Sequence, residues 1–251
     1  MPELHKHLIV ACLGSSTTAG RGQVFNWISE LARRPQNARF RFLNFGVGGD
    51  LASNALLRLP RVVAVQPSHV IVLIGGNDIL ASVFPNVWRF VWLSKRLSEL
   101  PTPEAFGHHL VSIARMLKAE TSANVALASP PQVGESLDAS DPVQQRLNAL
   151  YRRYSEIIKT VADEERTAYV PVYERLRDAI EAEPGPAFTG FRFWPFYRDT
   201  MRWLLLRRNG DEIGLMNGWK FHVDGVHLNS RGGAIVVDLV QQFLGPAPTL
   251  G

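Results

Sequence analysis

The chain has 251 residues, 46% of them hydrophobic and 20% charged, with a formal net charge of +4. That is ample length for a buried core and an ordinary globular composition, while the small basic excess does not identify a nucleic-acid binder. No uncharged apolar run reaches membrane-spanning length, and the single cysteine, Cys12, has no partner for an internal disulfide.

In chain order, the first apolar run is LIVACL (8–13), where Cys12 reads as a small buried residue in a core strand. IVAC loosely resembles a lipoprotein cleavage box, but the apolar stretch before it is too short for a secretory h-region. Processing there would also remove a core strand, so a cytoplasmic protein is expected. The run ends in GSSTTAGRG (14–22), two serines and two threonines crowded between glycines. RFRFLN (39–44) follows and runs into NFGVGGDLA; HVIVLI (69–74) runs into IGGND. Residues 83–100 are aromatic and basic and read as an insertion near a loop. NVALAS (124–129) is the fourth β-rich run.

A helix should start at Asp141 and Pro142, with Val143, Leu147, Leu150, Tyr154, Ile157 and Val161 along its apolar stripe. AYVPVY (168–173) is the fifth strand candidate, and Pro171 makes it an edge strand. Residues 185–220 form a second insertion, within which 188–208 combine aromatic residues with arginines. DGVHLNSRGG then leads into a closing helix near 230–244, carrying Ile235, Val236, Leu239, Val240 and Phe243 on one side. Strand–helix alternation predicts a single domain over 1–251. Its fold is α/β, a three-layer α/β/α sandwich around a flavodoxin-like, doubly wound parallel sheet of about five strands.

The glycine-rich turn after the first strand fails three standard motifs. A P-loop needs lysine after its second glycine, but Arg21 follows Gly20. The dinucleotide fingerprint fails at Leu51, and the G-x-S-x-G elbow fails at Thr18. What remains is a serine at the carboxyl end of a strand, where ligands gather in such sheets. A hydroxyl becomes a nucleophile when a base takes its proton and donors await the oxyanion. Other strand ends offer these partners: Gly48 and Gly49, then Gly75, Gly76 and Asn77, and late in the chain Asp224 three residues before His227. Singly, each has a plainer reading as a helix cap, a turn or a surface coincidence.

Together, GSSTTAG, NFGVGGDLA, IGGND and DGVHLN resemble, in order, the Ser, Gly, Asn and His blocks of the SGNH superfamily of serine hydrolases, the GDSL esterases and lipases. The resemblance implies that Ser16 is the nucleophile, His227 the general base and acid, and Asp224 the orienting carboxylate. It also implies an oxyanion hole made by the Ser16 N–H, Gly49 and Asn77. The family's Gly-Asp-Ser stands here as Gly14-Ser15-Ser16, which leaves Ser15 as a competing nucleophile. Spacing to Thr18 and Gly20 favours Ser16.

The expected reaction is hydrolysis of carboxylic esters through an acyl-enzyme, on a small-molecule ester, with no metal, organic cofactor or nucleic acid. A thioesterase or carbohydrate O-deacetylase on the same residues is the alternative. An alternative of another class is a non-catalytic binding module or peripheral membrane protein, with 188–208 as a lid, a membrane contact or a homodimer surface. His108, His109 and His222 lack the spacing of metal ligands, and Asp50 and Asp78 are expected to orient their loops.

Overall fold

A computed structural model of the chain describes residues 8–95, 100–191 and 209–245. All five apolar runs form strands: β1 (Leu8–Gly14), β2 (Phe40–Gly46), β3 (His69–Leu73), β4 (Asn124–Ala128) and β5 (Ala168–Val170). They pair in parallel in the order β2-β1-β3-β4-β5. The runs are apolar at consecutive positions because side chains alternate between two buried faces. Ala11, Leu13, Val70 and Val72 enter one core, while Val10, Cys12, Ile71 and Leu73 enter the other. As Pro171 suggests, β5 lies at an edge, and it is only three residues long because the chain turns at Pro171 into a helix.

Helices cover both faces. After β1 come α1 (Ser16–Ala19) and α2 (Trp27–Arg33); after β2 comes α3 (Ala52–Val63). Three more, α4 (Gly76–Val83), α5 (Pro85–Lys95) and α6 (Pro103–Glu120), separate β3 from β4. The rest are α7 (Pro142–Glu164), α8 (Val172–Ala182), α9 (Gly210–Met216) and α10 (Ser230–Leu244). The core shared by α3 to α7 lies on one face, and the core shared by α2, α8 and α10 on the other. The architecture is therefore a three-layer α/β/α sandwich. Its strand order reverses between β1 and β3, the place where such sheets open a crevice.

Asp141 caps α7 by accepting from the N–H groups of Val143 and Gln144. The buried stripe of α7 differs from the expected one. Leu147, Tyr151, Tyr154, Ile158 and Val161 are buried, whereas Val143, Leu150 and Ile157 are only half-buried. A three- and four-residue step can be traced along either of two adjacent rows, and packing selects the row with the tyrosines. The stretch at 83–100 is also more regular than expected: 85–95 is the helix α5, which buries Val87 and Val91 and exposes Trp92 and Leu93. Of the second aromatic stretch, Phe188 and Phe191 pack against Phe84, with ring centroids 5.9 and 6.1 Å away. Residues 192–208 lie outside the described residues, and with them most of the expectation for a lid, membrane contact or dimer surface.

The loop between β4 and α7 is tied to the segment before α10 by a buried carboxylate–imidazole pair. Glu135 Oε1 meets His222 Nδ1 at 2.7 Å, and neither side chain is exposed. The carboxylate also accepts from the N–H groups of Lys220, Phe221 and His222 at 2.7 to 3.0 Å. His222 Nε2 faces the Gln132 carbonyl oxygen at 2.8 Å. Both ring nitrogens thus face an acceptor of the loop after β4. Burial pushes the Glu135 carboxyl upward, but His222 and the backbone donors outweigh it and hold the group below its usual range. The stability this adds is present above the unfolded carboxyl value and is lost as pH falls through the lowered one. Glu135→Ala strands the buried His222, and urea unfolding at neutral pH should show a loss of about 3–5 kcal/mol. A loss under about 1 kcal/mol, the scale of an exposed pair, would contradict this reading.

Candidate active site

Ser16 is presented by a single tight turn. The N–H groups of Ala19 and Gly20 donate to the Ser15 and Ser16 carbonyls, and Gly20 closes the turn in the left-handed region at φ +55°. Asn44 of β2 holds this turn from beside it, donating to the Thr18 and Ala19 carbonyls at 3.0 and 3.2 Å. Ser16 Oγ lies 3.0 Å from His227 Nε2. Ser15 is buried and is not the serine that meets the imidazole.

His227 and Asp224 occupy one loop. Asp224 Oδ2 meets His227 Nδ1 at 2.8 Å, while Oδ1 accepts from the N–H groups of Val226 and His227 at 3.0 and 2.7 Å. The three-residue spacing lets one carboxylate fix both the backbone and the ring of the histidine. Gly225 between them has φ +85°, and a Cβ there would run into the rings of Trp219 and Phe188. Its carbonyl accepts from the Gly134 N–H at 2.9 Å, so the loop anchored through Glu135 and His222 is the one that carries Asp224 and His227.

The electrostatics suit proton transfer. Burial alone would raise the Asp224 carboxyl, but the His227 charge and three hydrogen bonds outweigh it and bring the value down to about 2. Burial works to lower His227, and Asp224 overcomes it by charge and hydrogen bond, leaving the imidazole above its ordinary value. The carboxylate therefore stays ionised and favours the imidazolium that forms when His227 takes a proton.

The glycine and asparagine blocks meet through Asp50. Asn77 Nδ2 donates to the Asp50 carbonyl at 3.0 Å, and the amide has a second hydrogen to offer. Asn77 and Ser16 border the same cavity, together with Leu73, Ile74 and Gly76 at the end of β3. Gly49 has φ +77°; it reaches this region through its neighbour Asp50 and does not border the cavity itself. The Asp50 carboxylate is buried between Arg58 at 2.6 Å and Lys95 at 2.8 Å. Arg58 also donates to the Phe45 and Gly14 carbonyls at 2.9 and 3.4 Å, joining the ends of β1 and β2. Asp78 accepts from the Ala52 N–H at 3.2 Å, and its burial pushes the carboxyl up to about 7. Both aspartates orient loops, as their places beside the motifs suggest.

Sequence reasoning missed Arg58, Lys95, Glu135 and His222 as parts of the site's support. Arg58 carries no local signal, since its partners come from three separate segments. His222 stood out only as a histidine near His227, and nothing in the sequence connects it to a carboxylate 87 residues away. Among the described residues, no group of three or more His, Cys, Asp or Glu side chains converges as metal ligands would. No described helix is long and apolar enough to cross a membrane.

Comparison with known proteins bears on the family and the fold. The model of the GDSL-like Lipase/Acylhydrolase family matches residues 12–235. Esterase TesA of Pseudomonas aeruginosa is 25% identical over 170 residues, covering 66% of each chain, so the match spans just under two thirds of that relative. Among solved structures, the acetylxylan esterase Axe2 of Geobacillus stearothermophilus superimposes with a TM-score of 0.66 at 15% identity, over 95% of this chain and 94% of that one. LAE5, an alpha/beta hydrolase enzyme from the metagenome of Lake Arreo, gives a TM-score of 0.61 at 16% identity over 94% and 95%. At these identities the structural matches speak for the fold, and the family match speaks for descent. The chain belongs to the GDSL-like lipase/acylhydrolase family.

Proposed function

We propose that the protein hydrolyses carboxylic esters of small molecules through an acyl-enzyme on Ser16. The observation that carries this reading is the continuous relay from Asp224 to His227 to Ser16, with links of 2.8 and 3.0 Å. It lies at the sheet's switch point, in a chain of an acylhydrolase family.

His227 Nε2 accepts the Ser16 proton as Ser16 Oγ attacks the ester carbonyl carbon. The carbonyl π pair moves onto oxygen, and the oxyanion is met by the Ser16 N–H and the second hydrogen of the Asn77 amide, with the Gly49 N–H as the third donor that the family resemblance implies. Collapse of the intermediate breaks the bond to the alkoxy oxygen, which leaves as the alcohol with the proton from His227. Water then gives a proton to His227 and attacks the acyl carbon, and the second collapse returns the proton to Ser16 Oγ and releases the acid. A thioester or an O-acetylated sugar passes through the same steps, with a thiol or sugar hydroxyl leaving.

Three outcomes follow for purified protein. A fluorophosphonate should label Ser16 and leave Ser15 unmodified by peptide mapping; an unlabelled chain would instead favour a non-catalytic binding module. Asn77→Ala should lower kcat by roughly a hundred- to a thousand-fold on a nitrophenyl ester, with much less change in KM. Because the reaction needs neutral His227, kcat/KM should rise with pH through a limb above the ordinary imidazole value. A limb below about 6 would contradict the ion pair with Asp224.

A further inference from the structure

The cavity that begins at Ser16 and Asn77 runs between the end of β3, the first turns of α4 and the loop after β4. At the mouth, Ser15 and Thr17 add hydroxyl residues beside Ser16; away from the nucleophile the walls include Ile74, Leu80, Pro131, Val133, Tyr151 and Val226. Apart from the Tyr151 hydroxyl these offer only hydrocarbon, which suits an acyl chain better than a polar alcohol. The cavity volume is about 20 Å³. A single water or methyl needs about 10–15 Å³ by the same measure, so the cavity holds little more than one such group.

Its walls are held firmly. Ile74, Leu80, Val133 and Tyr151 are each at most 2% exposed and belong to the larger core. The Tyr151 hydroxyl lies beside Gly76, 3.7 Å from where a Cβ would stand, and lines the cavity near Asn77. Side chains packed at interior density do not part for an extra methylene without strain.

We infer that this cavity is the acyl pocket, that it admits the methyl of an acetyl group and excludes longer chains, and that Leu80 and Tyr151 set its limit. The inference rests on the acyl-enzyme reading above and specifies its substrate class: esters of acetic acid.

The test is kcat/KM for 4-nitrophenyl acetate, butyrate, hexanoate and octanoate, which share one leaving group, alongside fluorophosphonate labelling of Ser16. The parent should lose about tenfold or more between acetate and hexanoate, because the added methylenes find no room. A pocket with space would instead gain about fourfold per methylene, the equivalent of about 0.8 kcal/mol. Leu80→Ala, checked for folding by circular dichroism, should raise the hexanoate-to-acetate ratio by about fivefold or more. Tyr151→Phe keeps the wall and should leave the ratio unchanged. A parent profile that is flat or rises with chain length, in a protein whose Ser16 labels, overturns the pocket and leaves the nucleophile standing. If Ser16 does not label and no ester is cleaved, the acyl-enzyme reading falls and takes the pocket with it. Should Leu80→Ala fail to fold, the parent series decides alone.

Discussion

Everything at the site depends on the register of β1. Its last residue, Gly14, pairs with Gly46 of β2 on one side and with Leu73 of β3 on the other. Three neighbouring strands therefore release their loops at one level, and the serine, glycine and asparagine blocks emerge side by side although they are far apart in sequence. Glycine at position 14 is part of that constraint, because a Cβ there would collide with the Thr18 side chain and the Leu73 carbonyl oxygen. A slip of one residue would also exchange the two buried faces of β1.

The fourth block comes from outside the sheet, and a buried carboxylate–imidazole pair brings it to the same level. Glu135 and His222 lock the segment before α10 to the loop after β4, and from that anchor Asp224 orients His227. On the other side, Asp50 is held between Arg58 and Lys95 while its carbonyl takes one hydrogen of Asn77. Buried pairs of this kind contribute little net stability compared with apolar packing, yet breaking one is costly. Their value here is positional: one fixes the loop of His227, the other fixes the region of Gly49 and Asn77.

Much of this was legible in the sequence. All five strands could be read from short apolar runs, because strands buried on both faces are apolar at consecutive positions. Ser16, Asn77, Asp224 and His227 could be named because each follows a strand or precedes a helix in a recognisable block, and the structure brings all four into one region. What could not be read was long-range pairing. Nothing local distinguishes Tyr151 from Leu150 as the core residue of α7, since both satisfy helical spacing and only the facing layer chooses. Arg58 looks like any basic residue on an amphipathic helix until the carbonyls of Gly14 and Phe45 are seen to converge on it.

The central claim is that Ser16 carries the acyl group and His227 takes its proton. The most direct measurement is rapid acid quenching of the protein during turnover of 4-nitrophenyl acetate, followed by peptide mass spectrometry. One transient acetyl group is expected on the peptide containing Ser16, localised to that residue and absent from Ser15. In His227→Ala the group should not accumulate at any rapid time point. An acetyl group found on another residue, or formed as fast without His227, would contradict the central claim.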